Sequence, residues 1–256
     1  MNLFLALVSR RSTVVAAALL AAATCGTNAL AQFPEKPIKM VIGYPSGGGS
    51  DVLDRSIASK LSQRVGQPVL VDNKPGASGM IGTDFVANSK PDGYTLIMMS
   101  ADSHSVAPHV YSRMRYDAAQ DFTAIALIGF QPMALLVRNG IPVSTVRQFV
   151  DYIRSSKEAL TFASYGIGSS SHVAMAQLEQ HSGIELRHIP YQGSAPAIGA
   201  VMAGVVDAMV VPTALAIPSH RDGRVKLIAV ATQQESSVAA GLPTFRAQRM
   251  PLDTSI

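Results

Sequence analysis

Lys39-Met-Val-Ile-Gly-Tyr-Pro-Ser-Gly-Gly-Gly-Ser-Asp51 is an apolar run that passes through three consecutive glycines into a segment of helical periodicity. Glycine has no Cβ, so its N–H group approaches a bound group unobstructed, and the following helix presents the positive end of its dipole. The stretch therefore predicts strand, turn and helix, with Gly47, Gly48, Gly49 and Ser50 forming an anion seat. A triphosphate loop would need Lys and then Ser or Thr after the glycines, whereas Ser50, Asp51, Val52 and Leu53 follow here. Asp51 and Asp54 suit a first helical turn but oppose a multiply charged anion. A small carboxylate held by neutral donors fits the seat; the alternative is a tight strand-to-helix connection with no ligand.

Downstream the same grammar recurs. Ile38 to Tyr44 reads as a strand, and Asp51 to Val65 as a helix with Leu53, Ile57, Leu61 and Val65 on one side, Ser50 as N-cap and Gly66 as stop. Val69 to Val71 leads into a second glycine-rich turn, Asp72-Asn-Lys-Pro-Gly-Ala-Ser-Gly79, then a helix from Met80 to Ala87 and a strand from Tyr94 to Met99. Ile125 to Val137 holds two apolar pieces, and Thr145 to Ile153 is amphipathic, with Val146, Phe149, Val150 and Ile153 together. Leu160 to Ser164 opens on a third such turn, Tyr165-Gly-Ile-Gly-Ser-Ser-Ser-His172. Arg187 to Tyr191, Asp207 to Val211 and Lys226 to Ala231 complete the strands. Strands alternating with helices indicate an α/β chain with a largely parallel sheet, and its halves are expected to be joined by strands crossing between them.

Upstream, Arg10 and Arg11, the apolar run Thr13 to Ala23 and Ala29-Leu30-Ala31 form an export signal cleaved before Gln32. Sec and twin-arginine routes both remain open. Cys25, the only cysteine, lies in the segment to be removed, so the mature chain has no thiol for a disulfide or a metal. Without Arg10 and Arg11 there are 19 basic against 17 acidic residues, and no basic stripe with aromatics implies nucleic acid. A periplasmic location follows from the signal.

Ligands of open α/β sheets sit at the carboxyl ends of the strands. The turns at 44–51, 74–79 and 166–172 have that position; Ser50, Ser78 and Ser169 to Ser171 add hydroxyls, and Lys74 is their one cation. A cleft lined by neutral donors suits a carrier more than a catalyst. The best case for an enzyme is Gly166-Ile-Gly168-Ser-Ser-Ser171, which nearly matches the dinucleotide fingerprint, although Ser171 replaces its third glycine. No Gly-x-Ser-x-Gly elbow and no paired metal ligands are present. His104 follows a strand and is expected at the cleft; the remaining histidines read as surface or loop residues. Asp207, at a strand start, is expected in the second half of the cleft or exposed at its strand end.

Six motifs in order, Tyr44-Pro-Ser-Gly-Gly-Gly-Ser-Asp51, Val71 to Gly79, Pro91 to Leu96, Gly166 to His172, His188-Ile-Pro-Tyr-Gln-Gly193 and Pro243-Thr244, resemble the Bug/TctC family. That family comprises periplasmic solute-binding receptors of tripartite tricarboxylate transporters. The resemblance implies a two-lobed periplasmic-binding-protein fold, type II-like, with no enzymatic activity and no cofactor. It implies a monomer that captures a small organic anion and hands it to the large and small membrane subunits of a transporter. It places Tyr44 beside the ligand, Gly47 to Ser50 in the first carboxylate loop, Ala77, Ser78 and Gly79 in the second, and Gly168, Ser169 and Ser170 in the loop from the other lobe. His104, Tyr191 and Asp207 match positions near the pocket, where Asp207 would favour a ligand with an amino group. The implied division is signal 1–31, lobe I at 32–128 plus 232–256, and lobe II at 129–231. Members continue past Pro243-Thr244, so the resemblance implies a C-terminally truncated chain with an incomplete first lobe, or a non-functional remnant.

Overall fold

The computed structural model describes residues 33–232, 234 and 239–250. The expected export signal and its cleavage site lie outside the described residues. By its contacts the chain divides after Lys36, and both lobes described below belong to the unit that starts at Pro37.

Strand β1 (Ile38–Ile42) buries every residue except Lys39, which fits a central strand packed on both faces. It lies between β2 (Val69–Asn73) and β3 (Thr95–Met98), and both pairings are parallel. All three carboxyl ends therefore share one edge. Helix α1 (Gly49–Val65) follows β1, and α2 (Met80–Ala87) follows β2. The predicted stop at Gly66 is present as a left-handed residue, φ 71°, whose N–H donates to the Ser62 carbonyl. The start differs from the expectation: Gly48 is the N-cap, no side chain caps it, and Ser50 lies inside the first turn. Asp51 supplies the reason, because its carboxylate folds back to accept the Gly47 N–H at 3.0 Å. The predicted stripe also differs, since the buried residues of α1 are Asp51, Asp54 and Ala58, while Leu53 is 45% exposed.

The second lobe is a five-stranded sheet of order β6-β5-β7-β4-β8. These strands are β4 (Met133–Arg138), β5 (Thr161–Ser164), β6 (Arg187–Pro190), β7 (Ala208–Pro212) and β8 (Val225–Ala231). Strand β5 is parallel to β6 and β7, but β4 runs against both β7 and β8, so this sheet is mixed rather than largely parallel. The chain enters β4 from the side where β7 ends, Met133 pairing with Pro212, and must run the opposite way.

Both faces of this sheet are covered. Met133, Leu135 and Val137 pack with Phe149 and Ile153 of α4 (Val146–Ser155) and Met175 and Leu178 of α5 (Ser170–Ser182). Ala134 and Leu136 face the other way, with Ile198 and Val201 of α6 (Ser194–Met202) and Ala216 of α7 (Thr213–Arg221). Helix α4 buries the four apolar residues its periodicity picks out, and Thr145 caps it by accepting the Gln148 N–H.

No strand of the described residues is shared between the sheets, contrary to the expected crossing strands. Residues 99–132 make the connection, through a π-helical turn at Asp102–Val106, a short helix α3 (Ala107–Val110), and a segment that has no regular structure from 122 to 132. Of the two apolar pieces in 125–137, the one at Ile125 forms no strand, and Ile125 and Leu127 are exposed. Residues 243–250, which the resemblance assigns to lobe I, pack on lobe II. Val230 donates to Pro243 and accepts from Phe245, whose ring is fully buried in the α4 and α5 layer. Gln248 clamps the same segment by donating to the Ile228 carbonyl and accepting the Val146 N–H, both at 2.8 Å.

Candidate ligand cleft

Three turns at the carboxyl ends of parallel strands build the cleft: 43–48 after β1, 74–79 after β2 and 165–169 after β5. The first two are locked together by glycine. A Cβ on Gly43 would lie 2.7 Å from Gly79 Cα, and one on Gly82 would lie 3.0 Å from Gly43 Cα, so backbone packs on backbone. Ala77 and Ser78 sit at φ 47° and 53°, a left-handed conformation that costs a non-glycine residue about 1–2 kcal/mol. Strain of this kind persists where the surroundings fix it, and here both neighbours, Gly76 and Gly79, also have positive φ.

The lobes touch through polar and apolar contacts. Ser78 Oγ donates to the Ile167 carbonyl at 2.8 Å, and the Tyr111 hydroxyl donates to the same oxygen at 2.9 Å. Pro45 lies where a Cβ on Gly193 would approach to 3.2 Å, and Leu215 lies 3.1 Å from a Cβ on Gly49. The rings of Tyr44 and Tyr165 meet edge to face at 6.4 Å. At the centre is Asp102. Tyr44 donates its hydroxyl to Asp102 Oδ2 at 2.6 Å and shares a hydrogen bond with Ser100 Oγ at 2.8 Å. The other oxygen, Oδ1, accepts the Ser170 N–H at 2.8 Å, while the Ser170 hydroxyl is hydrogen-bonded to that of Tyr165.

Electrostatics follow from this packing. Burial, with Asp102 second, pushes the Tyr44 phenol well above its ordinary pKa, and the same two causes raise Tyr165. Burial also raises Asp102, against the opposing hydrogen bonds from Tyr44 and Ser170. Asp51 behaves oppositely. The hydrogen bond from Arg55 at 2.9 Å outweighs burial, Gly47 and Asn73 add theirs, and its carboxyl is held down at about 2.

Tyr44, Gly47, Gly48, Gly49, Ser50, Ala77, Ser78, Gly79, Gly168, Ser169 and Ser170 all lie on the turns, or on the first residues of the helices, that border the cleft. Several of their donors are already engaged: the Gly168 N–H goes to His172 Nδ1, and Ser169 spends its hydroxyl on Gly166 and on capping α5. Tyr191 follows β6 at its carboxyl end and packs half-buried against the α6 face. His104 is exposed; the residue of its turn that reaches the cleft is Asp102, which sequence reasoning missed along with Ser100, Tyr165 and Gly43. Asp207 is a clear correction. It precedes β7 and so sits at the end of the sheet away from the cleft, where it binds Arg138 Nε at 2.7 Å and accepts the Thr161 N–H and hydroxyl. Burial would raise its pKa, but Arg138 and Thr161 together hold it below the usual range.

His172 and His188 are not ordinary surface residues either. Their rings stack 4.1 Å apart and nearly parallel, Phe162 extends the stack at 4.7 Å from His188, and His188 Nε2 meets Ser164 Oγ at 2.7 Å. The stack stands directly behind the 165–169 turn. Burial, then the neighbouring His172, lowers the His188 pKa to about 4.

Two α/β lobes that meet at the carboxyl ends of their strands, with neutral donors between them, define a two-lobed binding protein of the periplasmic class. Residues 53–249 match the model of the tripartite tricarboxylate transporter family receptor, TctC, and the chain belongs to that family. A UPF0065 protein from the tcbD-tcbE intergenic region of Pseudomonas sp. strain P51 is 38% identical over 202 residues, covering 78% of this chain and 60% of that protein. BugT of Bordetella pertussis is 29% identical over 214 residues, covering 83% and 66%. The chain thus spans about three fifths of the length of the first curated relatives it matches, 60% and 61%. Among solved structures, an R. palustris protein with adipate superposes with a TM-score of 0.82 at 31% identity, over 86% of this chain and 74% of that one. MatC from Rhodopseudomonas palustris with bound malate gives 0.80 at 30%, over 87% and 75%.

Proposed function

We propose that this chain is an extracytoplasmic receptor that captures a small carboxylate-bearing metabolite between its lobes and delivers it to the membrane subunits of a tripartite tricarboxylate-type transporter. The observation that carries the reading is the chemistry of the cleft: glycine turns and helix N-termini from both lobes converge, and the amides they offer at Gly47 and Ser170 already hold carboxylates, those of Asp51 and Asp102. Adipate and malate in the two related structures are anions of the same class. The ligand-facing groups are Tyr44, Gly47 to Ser50, Ala77 to Gly79 and Ser170. With neutral donors doing the holding, release needs no buried ion pair to break. Closure of one lobe on the other is the signal that the membrane partner reads. The receptor works in the periplasm as a monomer and carries no catalytic group; among the described residues no helix is long and apolar enough to cross a membrane.

The test is a thermal melt of the purified protein with adipate, malate, tricarboxylates, acidic amino acids, aromatic acids and NAD. A ligand that binds only the folded state raises the midpoint by mass action, about 2.7 kcal/mol of stabilisation at a hundredfold excess over Kd. A shift with one carboxylate supports the reading. A shift with NAD alone replaces it with a nucleotide-dependent activity at the Gly166–Ser171 turn.

A further inference from the structure

The Ser170 N–H opens helix α5, whose positive end faces the cleft, and it is already satisfied by an anion from the other lobe: Asp102 Oδ1, at 2.8 Å. The second oxygen of that carboxylate takes the Tyr44 phenol at 2.6 Å. Both oxygens are thus held by groups that would otherwise turn toward a ligand. Asp102 is 2% exposed, and no Lys or Arg of the described residues forms an ion pair with it. The titratable groups facing it are Tyr44 from the turn after β1 and Tyr165 from the turn after β5, both neutral, and burial raises Asp102 itself.

A buried carboxylate without a cation is a poor device for stability, because its desolvation is repaid only by hydrogen bonds. Seated across the two lobes on a helix N-terminus, it has the position and the chemistry of a ligand carboxylate. We propose that Asp102 is an internal competitor of the ligand, occupying the α5 amide in the closed form, so that an external carboxylate binds there only by displacing it. This inference rests on the cleft being a carboxylate site. It adds a residue that sets affinity from within, since a ligand must break the Asp102–Ser170 contact to take the α5 amide.

The experiment is titration calorimetry of the full chain with malate and with adipate, at pH 8, on the wild type, Asp102→Asn and Asp102→Ser. The neutral variants should bind on the order of tenfold more tightly at pH 8, the worth of one charge-assisted hydrogen bond. Variants that bind as the wild type does, or more weakly, overturn the inference and leave the receptor reading standing. If no carboxylate binds any of the three, the receptor reading fails and this inference fails with it. Should neither variant fold, the Ser170 amide of the wild type decides: an amide proton resonance left unmoved by saturating malate overturns the inference.

Discussion

At the scale of single residues, Gly43 and Asp54 carry consequences the glycine turns alone do not suggest. A methyl on Gly43 has to push the backbone of Gly79 away. Gly43→Ala should therefore cost about 1–3 kcal/mol, as overpacking does, and weaken carboxylate binding by shifting the 77–79 turn. Thermal melts with and without malate measure both, and an unchanged midpoint and shift would show that the turn yields freely. Asp54 is buried, and its Oδ2 finds no hydrogen-bond partner among the described residues; burial, then the nearby Asp51 charge, raises its pKa to about 7. The folded chain then holds a proton that the unfolded chain has released, so stability falls as pH rises from about 4 to 7. Asp54→Asn should gain roughly 1–3 kcal/mol at pH 8 and little at pH 4, read from urea titrations at both values. The glycines of the cleft were legible because three in a row weaken any helix or strand interior and so mark a turn where backbone comes close to something else. Asp102 was not, because only a π-helical turn aims it inward while His104, two residues on, faces solvent.

Among elements, those with an apolar stripe and a conventional cap were legible, and those governed by a polar contact were not. Helix α4 has Thr145 at its cap and four apolar residues on one face, and the structure follows the pattern. Helix α1 departs because Asp51 binds Gly47, Asn73 and Arg55, which turns its acidic side inward and leaves Leu53 outside. The histidine stack was equally hidden. His172 lies on α5 and His188 on β6, and only the β5-β6 pairing brings their rings together over Phe162. His188 should titrate near pH 4, visible as the midpoint of its ring-proton shifts in NMR. The sign is opposite to that of Asp54: here the unfolded chain takes up the proton first, so the contribution is complete above about pH 6.5 and is lost as pH falls toward 4. A ring titrating at 6.5 would mean that the stack is open to water.

The whole molecule is asymmetric. Lobe II buries both faces of a five-stranded sheet, whereas β2 of lobe I leaves Leu70 58% exposed and no residue of β2 or β3 fully buried. Opening free energy tracks buried contact, so amide exchange should be slowest in β4, β5, β7 and β8 and measurably faster in β2 and β3. Equal protection in the two sheets would count against independent lobes. A malate-bound sample should slow exchange at Ser170 and across the 77–79 turn. At this scale the alternation of strands and helices revealed an α/β chain, but the division into two sheets came from the resemblance. The docking of 243–250 on lobe II came from neither, since it depends on one buried ring, Phe245, and on backbone bonds to Val230.

Strand β4 runs against its neighbours and receives the chain from lobe I at the cleft edge, while hydrogen-bonded to β7 on one side and β8 on the other. Among the described residues, the segment entering at Pro132 is the single covalent tether between the sheets. A pull carried by this tether is delivered along the axis of an interior strand, loading its two ladders at once in shear instead of peeling them bond by bond. The cleft can be pulled open without fraying the strand that anchors it.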